Sequence, residues 1–377
     1  MERMRDEYEA VFTNASDLSD AIEASENTSR WVTNVNPSKQ IQLKEIGGPL
    51  FAQQVSETTG ISYEALYDSA EDGTDLYVTG LETQAVRSCA IPSLLNTAKI
   101  TGSALGRLGP YDFALVINTC LKVAKGKTLM LIRDGKVNAF LSEQYKIMPQ
   151  LELLDITKIA LESFGKVKFE EGYHSHSFTS ATWTLPDAKS ELCGTYEEML
   201  RDSSSIYDPS EFVPAVRFST SDTGAAAASL YPMFRTPNGS YIHINNGYKV
   251  DHKGAEPMQT FTDNADNLYA AFADVNEKLR EMAETWINHP VNAAIGICKK
   301  VGISKKYASP AIEEIELFVG DGSITMHDLY ITLADCAGTA QRMGLISKKQ
   351  LLDLEDSIAK ILHLTWKDFD VAGTVAW

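Results

Sequence analysis

The hydrophobic and polar positions along the chain divide it into three zones with different periods. Residues 1–100 are mainly polar with a helical pattern, residues 101–256 contain apolar runs separated by turn residues, and residues 257–377 are helical again. The zones predict an α+β fold with a largely antiparallel β-sheet core, an N-terminal helical segment and a C-terminal helical bundle. We treat the three zones as the predicted domain organisation.

The middle zone carries the strongest strand signals. Residues 113–123 (FALVINTCLKV) and 128–142 (TLMLIRDGKVNAFLS) are predicted strands, and the second run contains Asp134-Gly135. This pair favours a two-residue hairpin turn because both positions need positive φ. Further strands are predicted at residues 165–185, at residues 212–220, and on both sides of Pro237-Asn238-Gly239-Ser240. Hairpins without crossover helices indicate antiparallel pairing.

The last zone contains an apolar stripe whose members recur at spacings of four and three. The stripe consists of Leu268, Phe272, Val275, Leu279, Met282 and Trp286. It predicts one helix that ends before His289-Pro290, and we interpret the stripe as packing against neighbouring helices, with a partner surface as the alternative.

Proline, glycine and serine positions predict where the other helices of this zone begin and end. Pro290 and Pro310 are expected at first-turn positions, and Gly302 and Gly344 are expected to stop helices. Ser347-Lys-Lys-Gln350 predicts a capping box, in which the serine and glutamine each bond the other's backbone N–H.

Residues 50–72 (LFAQQVSETTGISYEALYDSAED) have the outline of a helix-turn-helix. Gly60 is a predicted helix stop and Ser62 a predicted N-cap. The second helix has four acidic and no basic side chains to face DNA. We therefore interpret the segment as a packed helical hairpin.

Charge and cysteine content narrow the class of protein. The formal net charge is -17, which argues against a surface broadly attractive to phosphate, so that any nucleic-acid contact must be local. The five cysteines are scattered without a Cys-x-x-Cys pair, which predicts reduced thiols. The charged N-terminus has no apolar stretch after it, and no later run reaches membrane-spanning length. We expect a cytoplasmic protein with no membrane contact.

Two lysine-rich segments depart from the acidic background. The first, around the Asp-Gly hairpin, holds Lys122, Lys125, Lys127, Arg133, Lys136 and Lys146; the second holds Lys299, Lys300, Lys305 and Lys306. Each could hold phosphates if the fold or an oligomer aligned it along a groove, although solvated faces are the commoner outcome.

Signatures of known chemistry are few. The phosphate-loop, dinucleotide-binding and serine-hydrolase motifs are absent from the sequence, and no motif predicts a cofactor. His174 and His176 are two residues apart on a predicted strand, so both imidazoles would point to the same face. They could share a metal with a third ligand such as Asp222, but solvated or hydrogen-bonded histidines are the favoured interpretation. No catalytic residue is assigned.

The segment RFSTSDTGAAAASLYPMF, residues 217–234, is the least ordinary in the chain. Small residues from Ser219 to Ser229 permit close backbone approach to a ligand or another chain, and Asp222-Thr223-Gly224 supplies polar groups at a predicted bend. A tightly packed strand and turn is the alternative interpretation.

Several segments resemble a phage/plasmid-like family known as domain of unknown function 932. They are VNAFLSEQYKIMPQLELLD, VRFSTSDTGAAAASLYPMFRTPNGSYIHINNGYKVDHKGA, ITMHDLYITLADCAG and LTWKDFDVAG, with LFAQQVSETTGISYEAL near the N-terminus. The resemblance spans roughly residues 50 to 370. It implies a mobile element in a bacterial cytoplasm, among genes for DNA replication, recombination or conflict with the host, and it implies no enzyme activity.

Three functions follow as hypotheses. The first is a non-enzymatic binding protein of phage or plasmid DNA metabolism, a homo-oligomer that gathers its lysines along single-stranded nucleic acid. The second is an anti-defence protein that binds a host immunity protein or its nucleotide signal. The third is a metal-dependent hydrolase. The candidate ligand or nucleic-acid contacts are Arg133, Lys136, Arg217, Ser221, Asp222, Gly224, Arg235, His252, Lys253, Lys299 and Lys300.

Overall fold

The structure is a computed structural model of the whole chain. It describes residues 8–45, 56–57, 76–79, 84–202, 212–244, 247–273, 275–320 and 322–377. The helix-turn-helix outline predicted for residues 50–72 lies outside the described residues, apart from residues 56–57.

The described strands form two large sheets and one short ribbon. In chain order they are β1 Glu9–Phe12, β2 Ser29–Val35, β3 Gln42–Glu45, β4 Leu76–Thr79, β5 Gln84–Val86, β6 Thr128–Arg133, β7 Lys136–Ser142, β8 Lys168–Ser175, β9 Thr179–Thr184, β10 Val213–Thr220, β11 Ala228–Arg235, β12 Tyr241–His243, β13 Tyr248–Val250, β14 Trp286–Ile287 and β15 Ile324–Thr325.

The described α-helices surround these sheets. In chain order they are α1 Ala15–Asn27, α2 Pro37–Gln40, α3 Ile91–Ala98, α4 Pro110–Leu121, α5 Gln150–Leu161, α6 Lys189–Asp202, α7 Pro257–Asp266, α8 Leu268–Ala273, α9 Val275–Glu284, α10 Pro290–Val301, α11 Lys305–Val319, α12 Met326–Arg342 and α13 Lys348–Ala359. The predicted α+β class, with an antiparallel sheet and a C-terminal helical region, is confirmed.

The first sheet runs in the order β1-β8-β9-β10-β11-β12, with β13 also paired to β11, and all its pairs are antiparallel. Apolar residues of this sheet and of the C-terminal helices share one large core. Within it, Leu268, Phe272, Leu279 and Met282 are buried as their spacing predicted. Trp286 departs from the stripe: it lies in β14 and is 50% exposed.

The second sheet runs in the order β2-β6-β7-β5-β4-β3 and is antiparallel except where β5 pairs with β7. Its β6–β7 hairpin turns at Asp134 and Gly135, which have φ of 50° and 71°, as predicted. Helices α3 and α4 cover this sheet and enclose a separate apolar core. Both sheets take strands from the first 100 residues, a contribution that the helical pattern of this zone did not predict.

Two predictions of individual elements are wrong. Residues 113–123 were predicted as a strand, but most of them belong to α4. Pro110 stands at its first turn, and Phe113, Ala114, Ile117 and Leu121 lie buried at helical spacing. Pro310 was predicted at a helix start, yet it lies inside α11, which already begins after Ser304 in extended backbone geometry.

The other predicted helix boundaries are confirmed. Pro290 occupies the first turn of α10, and Gly302 ends that helix with φ of 83°. Gly344, with φ of 64°, follows the end of α12. Ser347 and Gln350 form the capping box at the start of α13.

Candidate functional site

The loop between β10 and β11, residues 221–227, lies where the two large sheets meet. Ser221 Oγ accepts hydrogen bonds from the N–H groups of Thr223 at 3.2 Å and Ala225 at 3.1 Å, which curls the backbone back on itself. Tyr145 Oη donates to the Ser221 carbonyl at 3.1 Å, and Thr223 Oγ1 donates to the Ser177 carbonyl at 3.3 Å. The loop is therefore fixed by its own serine and by two segments outside it.

Gly224 is required at the outer end of this loop. Its φ is 76°, in the left-handed region that favours glycine, and a Cβ added there would lie 2.9 Å from Leu141 Cδ2. The close approach brings the loop backbone against β7 of the second sheet. At this position the neighbour is a segment of the same chain, which corresponds to the tightly packed strand and turn of the alternative interpretation.

A buried ion pair supports the loop from below. The guanidinium of Arg133 bonds the carboxylate of Asp222, and the two side chains are 2% and 10% exposed. Arg133 Nε also donates to Ser29 Oγ at 2.8 Å. An ion pair so far from solvent is costly to break, because the remaining charge would lack a partner. The pair therefore links β6 of one sheet to the loop of the other.

Above the loop is a cleft of about 610 Å³, which we call the lysine cleft. Among the described residues, its wall includes residues of α3, the start of β6, the end of β7, loop residues 223–227 and the segment after β13. Its charged lining residues are Lys99, Lys125, Lys127, Lys253 and Asp251. The cleft therefore has four positive charges and one negative charge, although the chain as a whole has a net charge of -17.

The loop also presents backbone donors next to these lysines. Gly224 and Ala226 line the cleft, and within the described part of the chain neither N–H has a hydrogen-bond partner. The Ala225 N–H between them bonds Ser221 Oγ, which leaves the Gly224 and Ala226 N–H groups as two separate donors for an anion. Lysine side chains and free N–H groups are both complementary to phosphate oxygens.

His252 and Tyr145 lie together at the side of the cleft. Their rings stack with centroids 4.7 Å apart and planes 7° apart, and Trp31 lies beyond Tyr145 at 6.1 Å. The Lys146 N–H donates to the His252 carbonyl at 2.8 Å, which ties the segment after β7 to the segment after β13. Burial lowers the pKa of His252 and raises that of the Tyr145 phenol.

The fold brings together some of the residues predicted from sequence. Gly224, His252 and Lys253 line the lysine cleft, as do Lys125 and Lys127 of the first lysine-rich segment. Ser221, Asp222 and Arg133 shape the loop from within, so they position the cleft and do not line it. Lys136 lies at the turn end of its hairpin, away from the cleft.

Other predicted contacts lie elsewhere in the fold. Arg217 is buried in an ion pair with Glu355 of α13, and Arg235 lies at the far end of β11. Lys299 and Lys300 are exposed in the last turn of α10, and Lys299 Nζ donates to the Ala376 carbonyl at 3.3 Å. None of these four is among the residues that line the lysine cleft.

His174 and His176, the candidate metal pair, have other partners. His174 Nε2 lies 2.9 Å from Ser25 Oγ, and Nδ1 lies 2.7 Å from Thr179 Oγ1, so both ring nitrogens are engaged. Burial lowers the pKa of His174 to about 3. His176 contacts Arg87. Throughout the described ranges, no group of three or more His, Cys, Asp and Glu side chains is placed to hold a metal ion.

Sequence reasoning did not place α3 at the cleft. Phe140 N–H donates to Ser93 Oγ at 2.9 Å, and Thr97 Oγ1 donates to the Phe140 carbonyl at 3.3 Å. These contacts fasten α3 to β7 and bring Lys99, in left-handed conformation at the helix end, to the cleft. Hydrogen bonds between segments that are distant along the chain leave no local pattern in the sequence.

Comparisons of the chain with protein-family models, curated proteins and solved structures gave no match. The family resemblance noted in the sequence stays a prediction. A search of the described helices found none with the length and apolar character needed to cross a membrane.

Proposed function

We propose that this chain is a non-enzymatic binding protein of phage or plasmid DNA metabolism, which takes the phosphate chain of single-stranded nucleic acid in the lysine cleft. The observation that carries the proposal is the local charge, since four lysines line one cleft of a strongly acidic protein. Beside them are Gly224 and Ala226, whose backbone N–H groups have no partner among the described residues. Single-strand binders combine such a positive groove with nearby aromatic rings. The family resemblance adds the bacterial cytoplasm as the compartment. The working form in this proposal is a homo-oligomer, which would gather the lysines of several copies along one strand.

The acidity of the remaining surface is compatible with this function. Phosphate backbones are repelled by a net charge of -17, so attraction is restricted to the cleft and falls off beyond about one Debye length, roughly 8 Å at physiological salt. Duplex DNA is wide and rigid, and it would bring further phosphates against acidic surface. We therefore expect a single strand to bind more tightly than a duplex of the same sequence.

A second candidate is sequestration of a host nucleotide signal, the anti-defence hypothesis. The observation that favours it is the size of the cleft, because about 610 Å³ lies within the range of roughly 300 to 1,000 Å³ that is typical of small-molecule pockets. Lysines and loop N–H groups would then hold the phosphates of one nucleotide. The two candidates share phosphate recognition and differ in the length of ligand that gains affinity.

One binding experiment separates these possibilities. The full chain is titrated with single-stranded oligonucleotides of increasing length, with a duplex, and with mono- and dinucleotides, each at 50 and 200 mM salt, with the mass in solution measured in parallel. Affinity that rises with strand length and falls with salt supports the first candidate. Tight binding of a nucleotide with no gain from length supports the second. Absence of binding to all of these ligands at low salt would refute both.

A further inference from the structure

Among the residues that line the lysine cleft, His252 has the side chain whose ordinary pKa lies nearest to neutrality. Its side chain is 5% exposed, and it is held between the Tyr145 ring and the Lys146 carbonyl, which lies 3.2 Å from Nδ1. A carbonyl accepts only, so Nδ1 carries the proton when the ring is neutral. Nε2 is then an acceptor, and in the part of the chain that the structure describes it has no partner.

Titratable groups lie beside this ring on three segments. Asp222 lies in the loop after β10, and its Oδ1 is also buried without a partner among the described residues. Asp251 and Lys253 flank His252 in its own segment, and the phenol of Tyr145, neutral because burial raises its pKa, covers one face. Burial lowers the pKa of His252, while the hydrogen bond to Lys146 and the charges of Asp222 and Asp251 oppose that shift. The ring is neutral at pH 7 in the ligand-free protein.

We propose that His252 takes up a proton on Nε2 when a phosphate chain enters the lysine cleft, so that ligand affinity increases as the pH falls. This inference rests on the proposed phosphate binding. His252 lines the cleft, and its Nε2 is out of solvent contact, so the ligand acts through its electric field and not by direct contact with Nε2. A negative charge placed beside a buried imidazole favours the imidazolium, whose proton comes from the buffer.

The coupling between protonation of His252 and anion binding can have only one sign. Bound anion raises the pKa of His252, and by reciprocity the imidazolium binds the anion more tightly than the neutral ring does. Each unit by which the ligand raises this pKa corresponds to about a tenfold gain in affinity between the high-pH and low-pH limits.

Calorimetry with oligodeoxythymidylate provides the test. Neither thymine nor a phosphodiester titrates between pH 5 and 8, so any proton taken up on binding belongs to the protein. Titrations at several pH values in that range, each in two buffers of different ionisation enthalpy, give the number of protons bound. For one unit of coupling, we expect uptake of at most about half a proton at the most responsive pH and up to about tenfold tighter binding at pH 5 than at pH 8.

Variants assign the proton. His252→Gln retains a side-chain donor for the Lys146 carbonyl and should bind the oligonucleotide with no pH-dependent proton uptake. The matched control is His176→Gln, next to Ser177, whose carbonyl accepts from Thr223 of the loop; His176 does not line the cleft, so this variant should keep the wild-type uptake. Circular dichroism checks that both variants fold, and the two-buffer measurement on the wild type tests the inference without either variant.

The outcomes separate this inference from the proposed function. Binding of the oligonucleotide with no proton uptake overturns the role of His252 and leaves phosphate binding intact. Uptake that disappears in His176→Gln and persists in His252→Gln also overturns it. Failure of the wild-type chain to bind at any pH refutes the proposed function itself.

Discussion

Removing two lysines from the cleft should weaken single-strand binding and flatten its salt dependence together. Lys125 and Lys253 are the suitable pair, because both side chains are exposed and their replacement leaves the fold intact. Binding that neutralises Z phosphates of a single strand gives a slope of log affinity against log salt of about -0.7Z. Four cleft lysines set a limit of about -2.8, and the variant Lys125→Gln/Lys253→Gln has a limit of about -1.4.

These slopes translate into a measurable change. Between 50 and 200 mM salt, the wild-type affinity should fall by up to about fifty-fold and the variant's by about seven-fold. Fluorescence anisotropy of a labelled oligodeoxythymidylate measures both. The control Lys299→Gln/Lys300→Gln makes the same change of charge outside the cleft and should keep the wild-type slope. Equal slopes in wild type and cleft variant, or a reduced slope in the control alone, would refute the placement of the phosphates.

Three further predictions concern the stability of the site, each measured as the free energy of unfolding in urea. Gly224→Ala and Gly254→Ala both place a Cβ at positive φ, 76° and 93°, but only the Cβ at position 224 meets a neighbour, Leu141 Cδ2 at 2.9 Å. Gly224→Ala should therefore lose about 1 kcal/mol more, and equal losses would contradict this. Arg133→Met leaves the carboxylate of Asp222 buried without a partner and should cost about 3–5 kcal/mol. The double variant Arg133→Met/Asp222→Leu should recover most of this loss, and simple addition of the two single losses would contradict the prediction. His174 is neutral when folded, with a pKa lowered from 6.5 to about 3, so its contribution is present above pH 6.5 and is lost as the pH falls toward 3. Relative to His174→Gln, the wild type should lose up to about 1.4 kcal/mol per pH unit in that window, and parallel profiles would contradict the assignment.

Local chemistry made much of the fold predictable. Asp134-Gly135 and Ser347-Gln350 act through their own backbone and a few neighbours, so their turn and capping box follow from sequence alone. The strand predicted at residues 113–123 failed because a run of apolar residues is compatible with both a buried strand and a buried helix face. There, Pro110 at the first helical turn was the signal that distinguishes the two.

The candidate site was only partly predictable for a different reason. Gly224 and His252-Lys253 stood out as unusual local sequence, and the structure places them on one cleft. Lys99 reaches the same cleft because α3 is fastened to β7 by side-chain hydrogen bonds between segments more than forty residues apart in the chain. Arg217 and Arg133 are both buried arginines on strands, yet their carboxylate partners place one far from the cleft and the other directly beneath it.

The most direct test of the account is to map where a single strand touches the protein. Oligodeoxythymidylate is photo-crosslinked to the full chain at low salt, and the modified peptides are identified by mass spectrometry. We predict crosslinks in peptides that contain Tyr145, the loop at residues 221–227, or the segment at residues 251–253, and their loss in Lys125→Gln/Lys253→Gln. Crosslinks confined to the lysines of α10 and α11, with none in the cleft, would contradict the central claim.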